Sequence, residues 1–247
     1  LYHKQYDIDR EAMLLRAYDA GVKKLFLPNI DLESIEGMDA LAAAHPLRCF
    51  AMMGLHPCSV GEHNDAAMAT IERLLRTGSY CAVGEIGIDL YWDRTWIAQQ
   101  QEVFRQHVRW AKELHLPVAI HCRNSFAETI AIVEEENSDA LCGVFHCFTG
   151  TPAEAQRIIA LGGFVLGIGG VITYPKGGLF ETMQGVGPDH CVLETDAPYL
   201  APVPFRGKRN ESSYIPHIAE KLALATGCSV ESIATITTTN AERLFRR

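Results

Sequence analysis

Several features that mark whole classes of proteins are missing from this sequence. No apolar run approaches the roughly 20 residues that a membrane-spanning helix needs, and no signal-peptide pattern precedes the first helical segment. The eight cysteines include no Cys-x-x-Cys pair and mostly lie within or beside apolar runs, which favours reduced thiols over a disulfide framework. We therefore expect a soluble, cytoplasmic protein without a membrane partner.

Sequence signatures of several enzyme classes are absent as well. There is neither the Gly-x-Ser-x-Gly elbow of serine hydrolases nor the His-Glu-x-x-His pair of zinc proteases. The run Gly167-Ile168-Gly169 lacks the third glycine of a dinucleotide-binding fingerprint. Positive charge is also scarce, since 22 Lys and Arg residues face 30 Asp and Glu residues and leave a formal net charge of −8. Most of the surface would repel a phosphate backbone, so an anionic substrate has to be held locally.

The chain does contain a regular alternation of short apolar runs and amphipathic segments. Apolar runs predict strands at 23–28, 48–55, 81–90, 116–121, 141–148, 164–169 and 190–195. Segments with a helical period predict helices at 9–20, 32–44, 66–76, 96–114, 126–135, 152–161, 179–186, 214–226 and 230–245. In the first helix, Ala12, Leu15 and Tyr18 are spaced for one buried face. Because 48% of the 247 residues are hydrophobic, the chain can bury one large core, which predicts a single domain over residues 1–247.

The predicted strands are almost continuously apolar, as expected for a parallel sheet that helices cover on both faces. This pattern predicts an α/β fold, a TIM (β/α)8-type barrel whose first strand is missing from the chain. An open doubly wound sheet is the alternative, and it would concentrate ligands in one crevice rather than around a ring. In a barrel the active site lies at the carboxyl ends of the strands.

Polar residues suited to metal binding stand in or at the end of five apolar runs. They are His56, Glu85, His121, His146 and Asp196. A glutamate buried in a strand is costly unless a cation meets it, and the glycines flanking Glu85 leave room for another group to approach. Carboxylates and neutral imidazoles suit divalent Zn, Mn or similar ions. The sequence therefore predicts a metal cluster at one mouth of the sheet.

Two of these residues have a plain structural alternative. Asp196 could cap the turn that follows it, instead of holding a metal and taking the proton of an attacking water. His56 precedes Pro57, and the turn that the proline favours could be the whole purpose of this segment. The functional alternative for His56 is contact with substrate.

Three arginines are candidates for binding phosphate. Arg123 lies two residues beyond His121, while Arg206 and Arg209 lie on a Pro- and Arg-rich loop after Asp196. Guanidinium groups match phosphate oxygens in pairs. The basic loop could equally be solvated and bind nothing.

Two aromatic residues directly follow the Glu85 strand. Tyr91 and Trp92 could stack on nucleobases, which contributes about 1–3 kcal/mol per base. Packing of this loop against the long helix that follows is the competing explanation.

Eight short motifs occur one after another along the chain. They are GLHP at 54–57, GEIGIDLYWD at 84–93, PVAIHCR at 117–123, FHCFTG at 145–150, GIGGVIT at 167–173, LETDAPYL at 193–200, RGKRN at 206–210 and the closing TNAERLF. Together they resemble the TatD family of metal-dependent deoxyribonucleases over essentially the whole chain. A series of this length is highly specific.

The resemblance implies a TIM barrel of the amidohydrolase type with two divalent metal ions, which could be Zn, Mn or Mg. It implies that Glu85 bridges the ions, that His121 and His146 hold one of them, and that Asp196 holds the other. It also implies hydrolysis of phosphodiester bonds in DNA, often from the 3′ end of single strands. Glu85 and Asp196 would be the catalytic residues.

The sequence departs from the family at its start. The family's first strand ends in His-x-His, whereas this chain begins at Leu1-Tyr2 and His3 stands alone, past the expected position. We therefore expect two ligands of the Asp196 ion to be absent from this chain. Two other functions stay open, namely hydrolysis of a small ester, lactone or amide by a barrel of the same superfamily, and binding without turnover. A monomer is the expected state.

Overall fold

The computed structural model describes residues 1–245 of the chain. Strands and α-helices alternate along this range, as the sequence predicts. The strands are β1 (Leu25–Leu27), β2 (Cys49–Ala51), β3 (Val83–Asp89), β4 (Val118–Arg123), β5 (Gly143–Phe145), β6 (Phe164–Ile168) and β7 (Cys191–Leu193). The helices are α1 (Arg10–Asp19), α2 (Ile35–Ala44), α3 (Asp65–Thr77), α4 (Ile97–Leu114), α5 (Phe126–Glu136), α6 (Pro152–Ile159), α7 (Leu179–Val186), α8 (Ile215–Thr226) and α9 (Val230–Phe245).

The described residues group into two compact units. The first unit comprises 1–23, 146–160 and 164–245, and the second comprises 24–145 and 161–163. Strands β6 and β7 belong to the first unit, and β1 to β5 belong to the second. A single domain over residues 1–247 stays a prediction.

The five strands of the second unit form a parallel row. β1 pairs with β2, β3 with β4, and β4 with β5, each time in parallel. β2 meets β3 through a bridge between Met53 and Val83 and through the Gly84 amide, which donates to the Met53 carbonyl at 3.0 Å. All seven residues of β3 are buried, and α4 packs against this strand. Glu85 therefore lies inside the central strand of the row.

The alignment of β3 with β4 places Gly87 beside His121. Side chains alternate along a strand, so Glu85, Gly87 and Asp89 belong to one face of β3. A methyl group on Gly87 would lie 2.0 Å from the His121 carbonyl oxygen, and the backbone φ there is +136°. Such a φ suits only glycine, and glycine alone lets the two strands approach this closely.

A buried histidine of α4 supports the segment that leads to His56. The Nδ1 of His107 donates to the Val103 carbonyl at 2.7 Å, and its Nε2 accepts from the Leu55 amide at 3.3 Å. Burial lowers the pKa of His107 to about 4, although the bond to Val103 opposes that shift. The ring is therefore neutral near pH 7, and both of its nitrogens are used to hold Leu55 in place.

Strand β7 of the first unit is supported by α9. β6 and β7 pair in parallel, with Gly167 beside Val192. The side-chain amide of Asn240 donates to the carbonyls of Asp189 and Cys191, at 2.9 Å each. These two bonds satisfy backbone groups at the start of β7 and fix its position relative to α9.

The buried face of α1 differs from the predicted one. The buried residues are Met13, Leu14 and Ala17. Ala12 is exposed, and Leu15 is 60% exposed. α1 contacts the 3-10 turn Ser212–Tyr214, and Arg16 binds Glu211 there at 2.6 and 2.8 Å. The prediction was wrong because the segment contains two apolar stripes with helical spacing, and only the tertiary partner selects between them.

Two expectations about the whole chain can be compared with the structure. None of the eight cysteines forms a disulfide within residues 1–245, as the sequence predicts. Among the helices within residues 1–245, none combines the length and the apolarity that crossing a membrane requires.

Replacing Gly87 with alanine should destabilise the second unit. We expect a loss of about 1–3 kcal/mol from the unfavourable backbone conformation and a similar further loss from overpacking against His121. Gly61→Ala is the matched control, because a methyl group there meets nothing within 4 Å. The free energies of unfolding can be compared by chemical denaturation, and equal values for the two variants would contradict the close approach of β3 and β4.

His107 should make stability depend on pH. Its pKa falls from 6.5 to about 4 on folding, so as the pH is lowered the unfolded chain binds a proton at a higher pH than the folded protein does. The stabilisation is complete above pH 6.5 and is lost as the pH falls through 4, by roughly 3 kcal/mol in total. We expect the difference in free energy of unfolding between wild type and His107→Gln to shrink by about that amount over this range. A difference that does not change with pH would rule out a neutral buried ring.

Candidate metal centre

Glu85 and His121 form the centre of a buried polar group in the second unit. Glu85 is 6% exposed, and its Oε1 lies 2.8 Å from the Nδ1 of His121. The parallel alignment of β3 and β4 brings the two residues together, since His121 stands beside Gly87, two residues beyond Glu85 on the same strand face. The sequence predicted this pair, and the structure brings it together.

The second ring nitrogen of His121 also faces a carboxylate. Its Nε2 lies 2.8 Å from the Oδ2 of Asp89, which is 2% exposed. Burial by itself would raise the pKa of Asp89, but the hydrogen bonds from His121 and from the amides of Tyr91 and Trp92 bring it down to about 2. Asp89 is therefore ionised near pH 7, and an ionised carboxylate can only accept.

His56 completes the group but differs from His121 in its hydrogen bonds. Its Nε2 lies 3.3 Å from the Oε1 of Glu85 and 3.3 Å from the Nδ1 of His121. Its Nδ1 accepts from the amide of Cys58 at 3.0 Å. A neutral His56 therefore has its proton on Nε2, which makes that atom a donor. Burial opposes protonation of His56, but the charge of Glu85 raises its pKa above the ordinary value.

The residues present fit a divalent metal ion. The ligand atoms of His56, Glu85 and His121 lie within 4.8 Å of one another, so proximity alone would make all three of them ligands. The hydrogen bonds distinguish the two histidines, because the Nε2 of His56 holds a proton, whereas the Nε2 proton of His121 is donated to Asp89 and the lone pair of the neutral His121 ring is then on Nδ1. Glu85 and His121 therefore offer a carboxylate and an imidazole lone pair to a metal ion, and His56 offers a hydrogen-bond donor near the same point.

An aromatic and cationic surface follows β3. Tyr91 and Trp92 are 53% and 70% exposed, with their rings perpendicular and 4.9 Å apart. The guanidinium of Arg123 lies 3.8 Å from the centre of the Tyr91 ring and 5.4 Å from that of Trp92. We call these three residues the stacking surface. The sequence proposed each of them separately for substrate binding, and the structure places them together.

A second polar group lies in the first unit, where His146 meets Glu194. The Nδ1 of His146 is 3.5 Å from the Oε2 of Glu194, whose Oε1 accepts from the Cys147 amide. A methyl group on Gly167 would lie 2.8 Å from the Glu194 carboxylate and 3.0 Å from the Cα of His146. The glycine thus leaves room for the carboxylate beside the histidine.

The loop that contains Asp196 is fixed by a buried asparagine. The side-chain amide of Asn210 donates to the carbonyls of Thr195 and Tyr199, at 2.6 Å each, on either side of Asp196. Asp196 itself has a φ of +54°, and its carbonyl accepts from the Tyr199 amide at 2.9 Å. A backbone turn therefore follows Asp196, while capping of this turn by its side chain and its role as a ligand both stay predictions.

The two arginines of the basic loop have different surroundings. The guanidinium of Arg206 lies 3.9 Å from the centre of the Tyr174 ring. Arg209 instead binds both carboxylate oxygens of Asp9 at 2.7 Å each, as well as the Gln5 carbonyl at 2.7 Å. The sequence proposed Arg209 as a phosphate ligand, but its bidentate ion pair joins this loop to the segment before α1, and a phosphate would have to displace Asp9.

Two residues of these groups were not predicted. Asp89 lies in the motif GEIGIDLYWD and Glu194 in LETDAPYL, but neither is among the predicted site residues. The signal for Asp89 was the period of two along β3, which puts residue 89 on the same face as Glu85. No comparable spacing identifies Glu194, because its contact with the Cys147 amide depends on how β7 is placed beside β6.

Comparison with known proteins is consistent with this geometry. A family model described as TatD related DNase matches residues 1–246. The uncharacterized metal-dependent hydrolase YabD of Bacillus subtilis is 37% identical, over 98% of this chain and 95% of that protein. The 3′-5′ ssDNA/RNA exonuclease TatD of Erwinia tasmaniensis is 36% identical over the same shares. The crystal structure of YjjV, a TatD homologue from Escherichia coli K12, matches with a TM-score of 0.93 and 29% identity, over 99% of this chain and 95% of that one.

These matches confirm the predicted α/β fold class of the TIM-barrel type and the resemblance that the motifs indicated. They also agree with the presence of a His and Glu group that could hold a metal. The chain belongs to the TatD family of metal-dependent hydrolases, the family of TatD-related DNases.

Proposed function

We propose that this protein is a metal-dependent deoxyribonuclease that hydrolyses phosphodiester bonds from the 3′ end of single-stranded DNA. The observation that supports it most directly is the buried Glu85 carboxylate, 2.8 Å from the Nδ1 of a histidine whose other nitrogen faces Asp89. A carboxylate and an imidazole lone pair directed at one point suit Zn or Mn better than Mg, which prefers oxygen ligands alone. The exonuclease named among the relatives supports the choice of substrate.

The ligand set is the first part of the proposal. Glu85 and His121 would hold one ion, and His146 keeps the ligand role that the family resemblance implies for it. Asp196 would hold a second ion and accept the proton of the attacking water. When bound, such ions polarise the phosphoryl group and lower the pKa of a coordinated water from about 15.7 toward about 7.

The remaining side chains would bind and orient the substrate. The Nε2 proton of His56 is directed toward the Glu85 carboxylate, where it can donate to a phosphoryl oxygen that approaches the same point. Arg123 and Arg206 each lie over a tyrosine ring rather than against a carboxylate in the contacts described, so their guanidinium groups can pair with phosphate oxygens at little cost. Arg209 would assist only by holding the basic loop in place.

The stacking surface explains why a single strand is the proposed substrate. The exposed faces of Tyr91 and Trp92 can stack on a base only when that base is unpaired and free to turn. Stacking also does not depend on long-range attraction, which suits a chain with a net charge of −8. A cytoplasmic location and a monomeric state remain predictions.

Replacing Glu85 tests the metal site. We expect Glu85→Ala to lose bound Zn or Mn. Exonuclease activity should fall by more than about 10–100-fold, which is the loss expected when only an outer-shell partner of a metal ligand is removed. Metal content can be measured by elemental analysis, and activity by the shortening of 5′-labelled single-stranded DNA with and without a chelator. Glu62→Gln, an exposed glutamate of the same unit, is the control that should change neither. Undiminished cleavage by Glu85→Ala would refute the proposed function.

Replacing Trp92 tests the choice of substrate. Loss of one stacking partner should raise KM for single-stranded DNA about 5- to 150-fold, the equivalent of 1–3 kcal/mol, while kcat changes little. Trp92→Phe keeps a ring and should recover most of the loss. Leu47→Ala, which removes another highly exposed apolar side chain, serves as the control. Hydrolysis of a small phosphodiester without a base should be unaffected by Trp92→Ala, and an equal loss there would argue against stacking.

A further inference from the structure

Asp89 is the most deeply buried charged residue near the metal centre, and the proposed reaction gives it no step. Its backbone is held by Gln100 of α4, whose Oε1 accepts from the Asp89 amide at 2.9 Å and whose Nε2 donates to the Asp89 carbonyl at 3.3 Å. Both partners are buried. The position of this carboxylate is therefore set by β3 on one side and by α4 on the other.

One oxygen of Asp89 controls which nitrogen of His121 has a proton. Oδ2 lies 2.8 Å from Nε2, and the carboxylate already accepts from two backbone amides through Oδ1, so it acts as an acceptor on both sides and this contact needs a hydrogen on Nε2. The lone pair of a singly protonated ring is then on Nδ1, the atom 2.8 Å from Glu85. Had the proton been on Nδ1, that atom could not donate electrons to a metal.

The other oxygen of Asp89 fixes the stacking surface. Oδ1 accepts from the amide of Tyr91 at 2.9 Å and from the amide of Trp92 at 3.3 Å. These bonds close the turn that follows β3 and fix the backbone from which the two exposed rings extend. Arg123 is the register partner of Asp89 on β4, so the third member of the surface is aligned with the same residue.

We propose that Asp89 is a positioning residue that joins the metal site to the substrate site. With one oxygen it leaves the Nδ1 lone pair of His121 available to a metal ion, and with the other it holds the backbone of Tyr91 and Trp92 in a fixed position relative to His121. The proposal rests on the proposed function, since it takes His121 as a ligand. A purely structural role would involve the turn alone and would leave metal affinity unchanged.

Asp89→Asn tests the roles of the two oxygens separately. The carbonyl of the new amide can still accept from Tyr91 and Trp92, while its NH2 group can only donate toward His121 Nε2. His121 must then keep its proton on Nδ1, where it blocks metal binding. We expect the affinity for Mn2+ and for Zn2+, each titrated alone into the full chain by calorimetry, to fall about 10–100-fold. Activity should recover when the metal is raised to saturation, with KM for single-stranded DNA close to that of wild type.

Asp89→Ala removes both oxygens. Metal affinity should fall at least as far as in Asp89→Asn, and the amides of Tyr91 and Trp92 should lose protection from hydrogen exchange, which Asp89→Asn retains. KM for single-stranded DNA should rise as well and stay raised at saturating metal. The exchange measurement needs no metal, so it examines the turn independently of the reaction.

Asp39→Asn is the matched control. Asp39 is a partly buried carboxylate of the same unit that accepts from the Tyr80 hydroxyl at 3.0 Å, away from His121. The Asp39→Asn variant should keep the wild-type metal affinity, the wild-type amide exchange at residues 91 and 92, and the wild-type KM for single-stranded DNA. Wild-type affinity for both ions in Asp89→Asn would overturn the role of Asp89 while leaving the proposed function intact. Failure of the wild-type chain to bind either ion would overturn both.

Discussion

The contact on which the site depends is an imidazole held between two buried carboxylates. His121 lies between Glu85 and Asp89, 2.8 Å from each, beside a strand whose seven residues are all buried. Two carboxylates four residues apart on one strand face would be costly to bury without a cation. The imidazole satisfies Asp89 with its Nε2 proton, and a metal ion bound at Nδ1 would neutralise the charge of Glu85. The register of β4 on β3 is what makes this possible, because it sets His121 opposite the one position on that face, Gly87, without a side chain.

The distribution of charge around this contact suits an anionic substrate that is bound at one place on the surface. The chain has a formal net charge of −8, so it does not attract nucleic acid over its whole surface. Many of its cations are committed to carboxylates, as Arg16 and Arg209 are, whereas Arg123 and Arg206 lie over aromatic rings. A guanidinium over a ring keeps its hydrogen-bond donors at the edge of the group available for phosphate oxygens. The aromatic residues therefore orient the cation, and under the proposed function they also offer faces for bases.

Much of this arrangement was predictable, and the failures have identifiable physical causes. The strand positions followed from apolar runs, and the pairing of Glu85 with His121 followed from strand ends in a parallel sheet. The predicted buried face of α1 was wrong because Met13 and Leu15 belong to two stripes with the same spacing, and packing against the distant turn Ser212–Tyr214 selects the stripe of Met13. Nothing local in the sequence reveals that Asp9 binds the Arg209 guanidinium, and phosphate binding by Arg209 stays a prediction. Substrate contact by His56 also stays a prediction, and only the bond from the Cys58 amide shows where its proton lies.

The sequence alone determined the α/β class, the order of strands and helices, the family and the identity of the metal-binding residue types, because these depend on local periodicity and on short motifs. Only the tertiary structure decided which carboxylate faces which ring nitrogen, which nitrogen of each histidine carries a proton, and which arginine is already paired with a carboxylate. Those outcomes depend on distances of a few tenths of an ångström between strands that are far apart in the chain. Hydrogen bonds discriminate at that scale, and sequence spacing does not.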